Sequence, residues 1–205
     1  MAAQFVYAEE LDVAVQYSTI AAYEQQTGGH IDSLREAPEL AKLVASGELL
    51  PLEDRLPKEP AVLVPTESIG KYGGTLRRVR SGPRDHWDIR KFLGERFLVM
   101  TPEGEIIPNV PQSYEVLDGG RKFVFHMREG LRWSDGHPVT ADDAVFWWEF
   151  KGDPRLYHPH RQEFIMDGEM AKIEKIDDYT FSITFPRPSG TFLLTLATEG
   201  RGRLL

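Results

Sequence analysis

Residues 114–150 read YEVLDGGRKFVFHMREGLRWSDGHPVTADDAVFWWEF, and the fold is decided there. Tyr114, Val116, Phe123, Phe125 and Met127 are apolar at alternate positions on either side of Asp118-Gly119-Gly120. A period of two, interrupted by residues that tolerate positive φ, predicts two antiparallel strands with a tight connection. Arg132-Trp133-Ser134-Asp135-Gly136 then turns the chain, because Asp-Gly joins a local side-chain acceptor to a strain-free left-handed position. Pro138 prevents continuation as an inner strand. Thr140 is placed to cap a helix whose third residue, Asp143, can bond back to the cap's own N–H.

Downstream, Lys151 to Asp167 is polar and rich in Pro, Gly and His, and reads as a long surface loop. Ile173 and Ile176 precede Asp177-Asp178, and Tyr179, Phe181, Ile183 and Phe185 alternate after it, which predicts a second hairpin ended by Pro186 and Pro188. Gly190 to Ala197 begins a helix. Upstream, Thr75 to Arg80 reads as a strand, Ser81-Gly82-Pro83 breaks it, and Arg84 to Asp88 is a polar loop. Phe92 to Met100 and Ile106-Ile107 resume apolar character around the turn at Pro102 to Glu105.

The first 70 residues have a different texture. Ser18 to Gln26 predicts a short helix ended by Gly28-Gly29. A clearer one spans Ala37 to Ser46, with Pro38 in its first turn, Leu40, Leu43 and Val44 in one stripe, and Gly47 at its stop. From Leu50 onward the prolines Pro51, Pro57, Pro60 and Pro65 predict an extended strap along a surface. Two regions result: an N-terminal extension over 1–70 and a hairpin-rich body over 71–205. Strands dominate and helices are few, so the class is α+β with antiparallel pairing.

Composition narrows the function. With 205 residues, 41% of them apolar and 27% charged, the chain is ordinary for a soluble globular protein. A net charge of −8 opposes nucleic acid or an anionic membrane surface as a partner. The absence of Cys excludes disulfides, thiolate metal sites and a cysteine nucleophile. No run reaches the roughly 20 apolar residues of a membrane span, so direct membrane insertion is not expected. The start, MAAQFVYAEELD, lacks a basic region and a long apolar region, so no secretory signal is expected in the sequence as written.

The central block resembles the family 5 extracellular solute-binding proteins, the oligopeptide-, dipeptide- and nickel-binding receptors of ABC importers. The matching residues are Pro108-Asn109-Val110, Ser113 to Val116, Phe123 to Gly130, Trp133 to Gly136, Pro138 to Asp143 and Val145-Phe146. Ordered agreement over about forty positions is far more specific than a short motif. Tyr72 to Arg78 and Ile173 to Thr180 extend the resemblance to roughly residues 70–205, and the Glu36-Ala37-Pro38 helix with its strap resembles a longer-chain branch. The resemblance implies the first lobe of a two-lobed, periplasmic-binding-protein-like (class II) fold, incomplete here because members are more than twice this long. It also implies a peptide or similar small solute bound between lobes, ABC importer permease subunits as partners, a periplasmic or other extracytoplasmic location, no cofactor and no catalysis.

The central helix is the most informative place for a site. Ala141, Ala144, Val145 and Trp148 form a core stripe on it, while Phe146, Trp147 and Phe150 form a second stripe. Phe146 and Trp147 are expected to line the interlobe cleft, although aromatics at helical spacing fit plain core packing as well. Trp147 stands where family members often carry a small polar residue. Ser81 and Gly82, with backbone groups for a peptide-like ligand, and Trp87, with a ring to stack on it, are the other ligand-binding candidates, against a solvated loop. Trp133-Ser134-Asp135-Gly136 with His137 is a turn rather than a triad, since residues so close in sequence do not converge. His158 and His160 lack a third ligand at useful spacing, so no metal is expected. Asp142-Asp143 and Asp177-Asp178 suit a helix start and a turn. Two competing readings remain: a hydrolase using Asp142, Asp143 or His137, and an interaction module or remnant without a ligand.

Overall fold

A computed structural model describes residues 14–77, 79, 82, 94–153, 155 and 162–198. Its centre is the expected hairpin, β5 (Pro111–Leu117) and β6 (Lys122–Met127), in which Tyr114 faces Phe125 and Val116 faces Phe123. Asp118, Gly119 and Gly120 all take positive φ between them, which an ordinary side chain resists and Gly does not. The second hairpin, β9 (Lys172–Asp177) and β10 (Thr180–Thr184), joins the first through β10 against β6. The result is a four-stranded antiparallel sheet in the order β5-β6-β10-β9. The α+β class therefore stands.

One face of that sheet carries Phe123, Phe125, Met127, Phe181 and Ile183, all buried. Phe97, just before β3 (Leu98–Met100), meets Phe125 edge-on at 5.1 Å between ring centres, and Phe125 meets Phe181 at 5.5 Å. β3 pairs with β4 (Ile106–Pro108) beside the sheet. Phe192 of the short helix α5 (Phe192–Ala197) packs on Phe123 and Phe185 at 4.9 and 4.8 Å. Each such ring, fully buried, contributes roughly 1.5–3 kcal/mol relative to exposure. Helix α4 (Ala141–Gly152) lies over β9 and β10 and seats Ala141 and Ala144 in the same core. No helix among the described residues is long and apolar enough to cross a membrane.

The stretch expected to be a polar loop after α4 is more structured where it is described. A single 3₁₀ turn, Gln162–Phe164, buries Phe164 completely, and β7 (Ile165–Met166) pairs with β8 (Glu169–Met170) across Asp167-Gly168. Phe164 touches Trp147, Trp148, Phe185 and Phe192, so it joins α4 to the sheet's aromatic face. Average polarity of the segment hid this one core anchor.

The extension contains β1 (Val15–Tyr17), α1 (Ile20–Thr27), α2 (Pro38–Ala45), α3 (Leu52–Arg55) and β2 (Val62–Val64), with β1 and β2 paired antiparallel. Thr19 caps α1 by accepting from the Ala22 N–H at 3.0 Å, and Gly28, at φ 71°, closes it. Two expectations are corrected. The strap is not extended throughout, since Leu52–Arg55 form one helical turn whose N-cap is Pro51, ahead of the N–H groups that the helix itself uses. Thr75 to Arg77 form no strand, because no described segment pairs with them; Arg78 and Arg80 lie outside the described residues.

No residue of α1, α2 or α3 is buried. The extension is held instead by polar contacts, from Gln16 Nε2 to the Pro108 carbonyl and Asn109 Oδ1 and, more numerously, to the turn after β6. The buried Arg128 guanidinium donates to the carbonyls of Ser18 (2.5 Å), Glu59 (2.7 Å) and Asn109 (3.2 Å). Its Nη2 alone finds no acceptor, and burial lowers its pKa, opposed by the charge of Glu59. The Lys58 N–H donates to the Glu129 carbonyl at 2.9 Å, and Arg132 Nε to the Asp54 carbonyl at 2.9 Å. Between them Gly130, at φ 87°, would bring a Cβ within 3.4 Å of the Pro57 Cα, so strap and turn meet backbone to backbone.

Candidate functional site

Where α4 begins is fixed from two sides. Asp143 returns a hydrogen bond to the Thr140 N–H at 2.7 Å, as its spacing predicts, and the Ala141 N–H donates to Asp178 in the β9–β10 turn at 2.9 Å. Lys175 bridges Asp142 and Asp178, at 2.8 Å each. Hydrogen bonding to Asp142 first, then to Asp178, raises the Lys175 pKa above its ordinary value. Asp142 is thus engaged by a surface lysine and Asp143 by the cap, and both keep the helix-start role expected of them. Asp177 accepts from the Tyr179 N–H at 2.8 Å, a turn bond that also holds its carboxyl below the usual range.

The Trp-Ser-Asp-Gly segment is a turn, closed by the Trp133 N–H on the His137 carbonyl (2.8 Å) and the His137 N–H on Asp135 Oδ1 (2.9 Å). Pro138 bridges back to Arg132, and the Val139 N–H to Leu131. This closure sets the Trp133 ring beside the first turns of α4. Trp133, Asp143, Phe146, Trp147 and Phe150 together line a recess of about 280 Å³. Four of these occur at i, i+3, i+4 and i+7 along one helix face, the spacing that brings side chains together on an α-helix.

The two aromatic candidates on α4 differ in setting. Phe146 is 66% exposed, and its ring lies 6.0 Å from that of Phe150. Trp147 is half-buried, stacked 6.0 Å from Trp148 and tilted against Phe164 at 5.7 Å, so one side of it belongs to the core and the other to the recess. The core stripe is seated as its spacing predicts, with Ala141 and Ala144 buried and Val145 and Trp148 packed against them. The second stripe is split between core and surface rather than uniformly cleft-facing.

Of the loop candidates, Ser81 and Trp87 lie outside the described residues, as do His158 and His160. Gly82 occupies a bend with open space where a Cβ would stand. Sequence reading places neither Trp133 nor Asp143 among the ligand-binding candidates; the helical spacing from Asp143 to Phe150 is the signal for the latter. Larger hollows of about 450 and about 800 Å³ run along the extension, lined by β1 and the β3–β4 hairpin in one case and by residues around His30 and Ile69 in the other. Neither includes one of the ligand-binding candidates.

Residues 105–199 match the model for bacterial extracellular solute-binding proteins, family 5 (middle). The periplasmic alpha-galactoside-binding protein of Rhizobium meliloti (strain 1021) is 33% identical over 169 residues, covering 70% of this chain and 24% of its own. Among solved structures, an oligopeptide-binding protein OppA superposes with a TM-score of 0.83 at 40% identity, covering 90% of this chain and 29% of that one. The periplasmic binding protein MelB of Agrobacterium fabrum C58, in complex with stachyose, gives 0.66 at 29% identity over 82% of this chain and 29% of that one. The chain therefore spans about a quarter of the length of the relatives it matches.

Proposed function

Residues 105–199 belong to the family 5 bacterial extracellular solute-binding proteins, and from that premise we propose that the chain contributes the first lobe of an ABC importer's substrate-binding component. Such a component works by binding, without covalent chemistry or a cofactor, and closes two lobes over its solute about a hinge. The observation that carries the reading is the superposition at a TM-score of 0.83 and 40% identity, which includes the extension as well as the body. Relatives are named for oligopeptides and for alpha-galactosides, so the solute is a peptide or a similar small polar molecule. On this reading Phe146 and Trp147 contact it from α4, and Ser81, Gly82 and Trp87, early in the body's sequence, are its other contacts. Permease subunits are the partners, and the location is periplasmic, as it is for the named relatives.

Isothermal titration of the protein against short peptides and alpha-galactosides tests this. Saturable binding of one class, weakened by Phe146→Ala, is expected; no heat with any solute would sink it. A second reading, an interaction module without a solute, draws on Ile69, Leu76 and Val79, which are 88%, 69% and 93% exposed. Apolar surface of that kind, where contiguous, marks a contact with other protein. Strong binding of a hydrophobic dye together with a silent titration would favour it. A hydrolase draws no support, since Asp142 and Asp143 are committed to Lys175 and to the cap.

A further inference from the structure

The α4 recess has a chemistry more specific than its apolar lining suggests. Taken together with the solute-binding reading, on which it rests, that chemistry identifies the kind of group held there. The recess walls are four aromatic rings, Trp133, Phe146, Trp147 and Phe150, with a single carboxylate, Asp143, among them. One Asp143 oxygen accepts from the Thr140 N–H, and among the described residues no cation pairs with this side chain. Trp133 and Phe146 keep 40% and 66% of their surface open to solvent, so the rings are reachable.

Three kinds of occupant can be weighed. A sugar ring can stack a C–H face on one aromatic side chain and give a hydroxyl to Asp143, but being neutral it leaves the carboxylate's charge and the convergence of four ring faces unused. A neutral apolar group would fill the space but strip water from the remaining Asp143 oxygen without compensation. An organic cation meets both features. Aromatic faces carry negative charge density that attracts an ammonium group within about 6 Å, most strongly where rings exclude water. The carboxylate then supplies the countercharge, and the protein's net charge of −8 favours the approach. We propose that this recess binds the alkylammonium group of a cationic solute, such as the amino group of a peptide.

Choline and its neutral carbon isostere 3,3-dimethylbutan-1-ol separate charge from shape. Titrated into the 205-residue protein at constant ionic strength and followed by tryptophan fluorescence, choline is expected to bind about tenfold more tightly than the isostere. Phe146→Ala, at an exposed position, and Asp143→Asn, which keeps an acceptor for the Thr140 N–H, are each expected to weaken choline by about tenfold with the fold retained by circular dichroism. Equal affinity for the two probes, or choline binding indifferent to both variants, overturns the inference. Peptide or galactoside binding that choline does not displace also overturns it, while leaving the proposed function intact. Choline binding that obeys the variants, with no solute bound in calorimetry, supports the recess and refutes the receptor reading instead.

Discussion

The body and the extension are built on opposite principles. β6 and β10 are held by Phe123, Phe125, Phe181 and Ile183, none more than 1% exposed, whereas α1, α2 and α3 contain no fully buried residue. The body coheres through apolar area removed from water, a force with little directionality. The extension is tied to the body by a few directed bonds, from Gln16 to Pro108 and Asn109 and at Arg128, Glu129 and Arg132. The first kind of structure tolerates a lost polar contact and suffers from a lost ring. The second behaves the other way round, because a buried carbonyl deprived of its donor retains the full cost of desolvation.

That contrast can be broken most forcefully at Phe125. Phe125→Ala removes a ring in contact with Phe97, Tyr114 and Phe181, and is expected to cost about 3–5 kcal/mol in urea unfolding, with both regions lost together. Arg128→Met should act on one region only. It removes the donor shared by the part-buried carbonyls of Ser18, Glu59 and Asn109, so the extension is expected to loosen by about 1–3 kcal/mol. Faster proteolysis within residues 14–64 and unchanged hydrogen exchange in β6 and β10 would be the signature. Equal loosening of the sheet would mean that the two regions are one cooperative unit.

Smaller effects sharpen the picture. Gly130→Ala forces a left-handed backbone on a side chain and crowds Pro57, which should cost about 1–2 kcal/mol and loosen the strap before the sheet. Acid should act most gently. Hydrogen bonding to Arg187 depresses the Asp167 pKa, and the Tyr179 N–H depresses that of Asp177. Depressed carboxyls contribute stability that is present above the ordinary value of 3.8 and lost as pH falls through their lowered values. Melting temperatures should therefore decline modestly between about pH 5 and pH 2, and less steeply in Asp167→Asn.

Much of this is legible in residue order. The central hairpin, the Trp-Ser-Asp-Gly turn, the Asp143 return bond and the second hairpin all rest on contacts within a few residues, so spacing specifies them. The same holds for α1 and α2, whose Thr19 cap, first-turn Pro38 and terminal Gly28 are local devices. Phe164 escapes such a reading because its burial depends on Trp148, Phe185 and Phe192 arriving from three other segments. Thr75 to Arg77 are over-read for the converse reason, since a strand exists only if a partner pairs with it.

The sequence by itself determined the antiparallel α+β body, the family and the helix on which a site could stand. Only tertiary structure decided that Trp147 divides between core and surface, that Trp133 completes a recess with Asp143, and that Arg128 carries the extension. Periodicity reports which faces of an element are apolar, and it does so through local geometry alone. Which of those faces is covered, and by what, depends on long-range packing that no local pattern encodes.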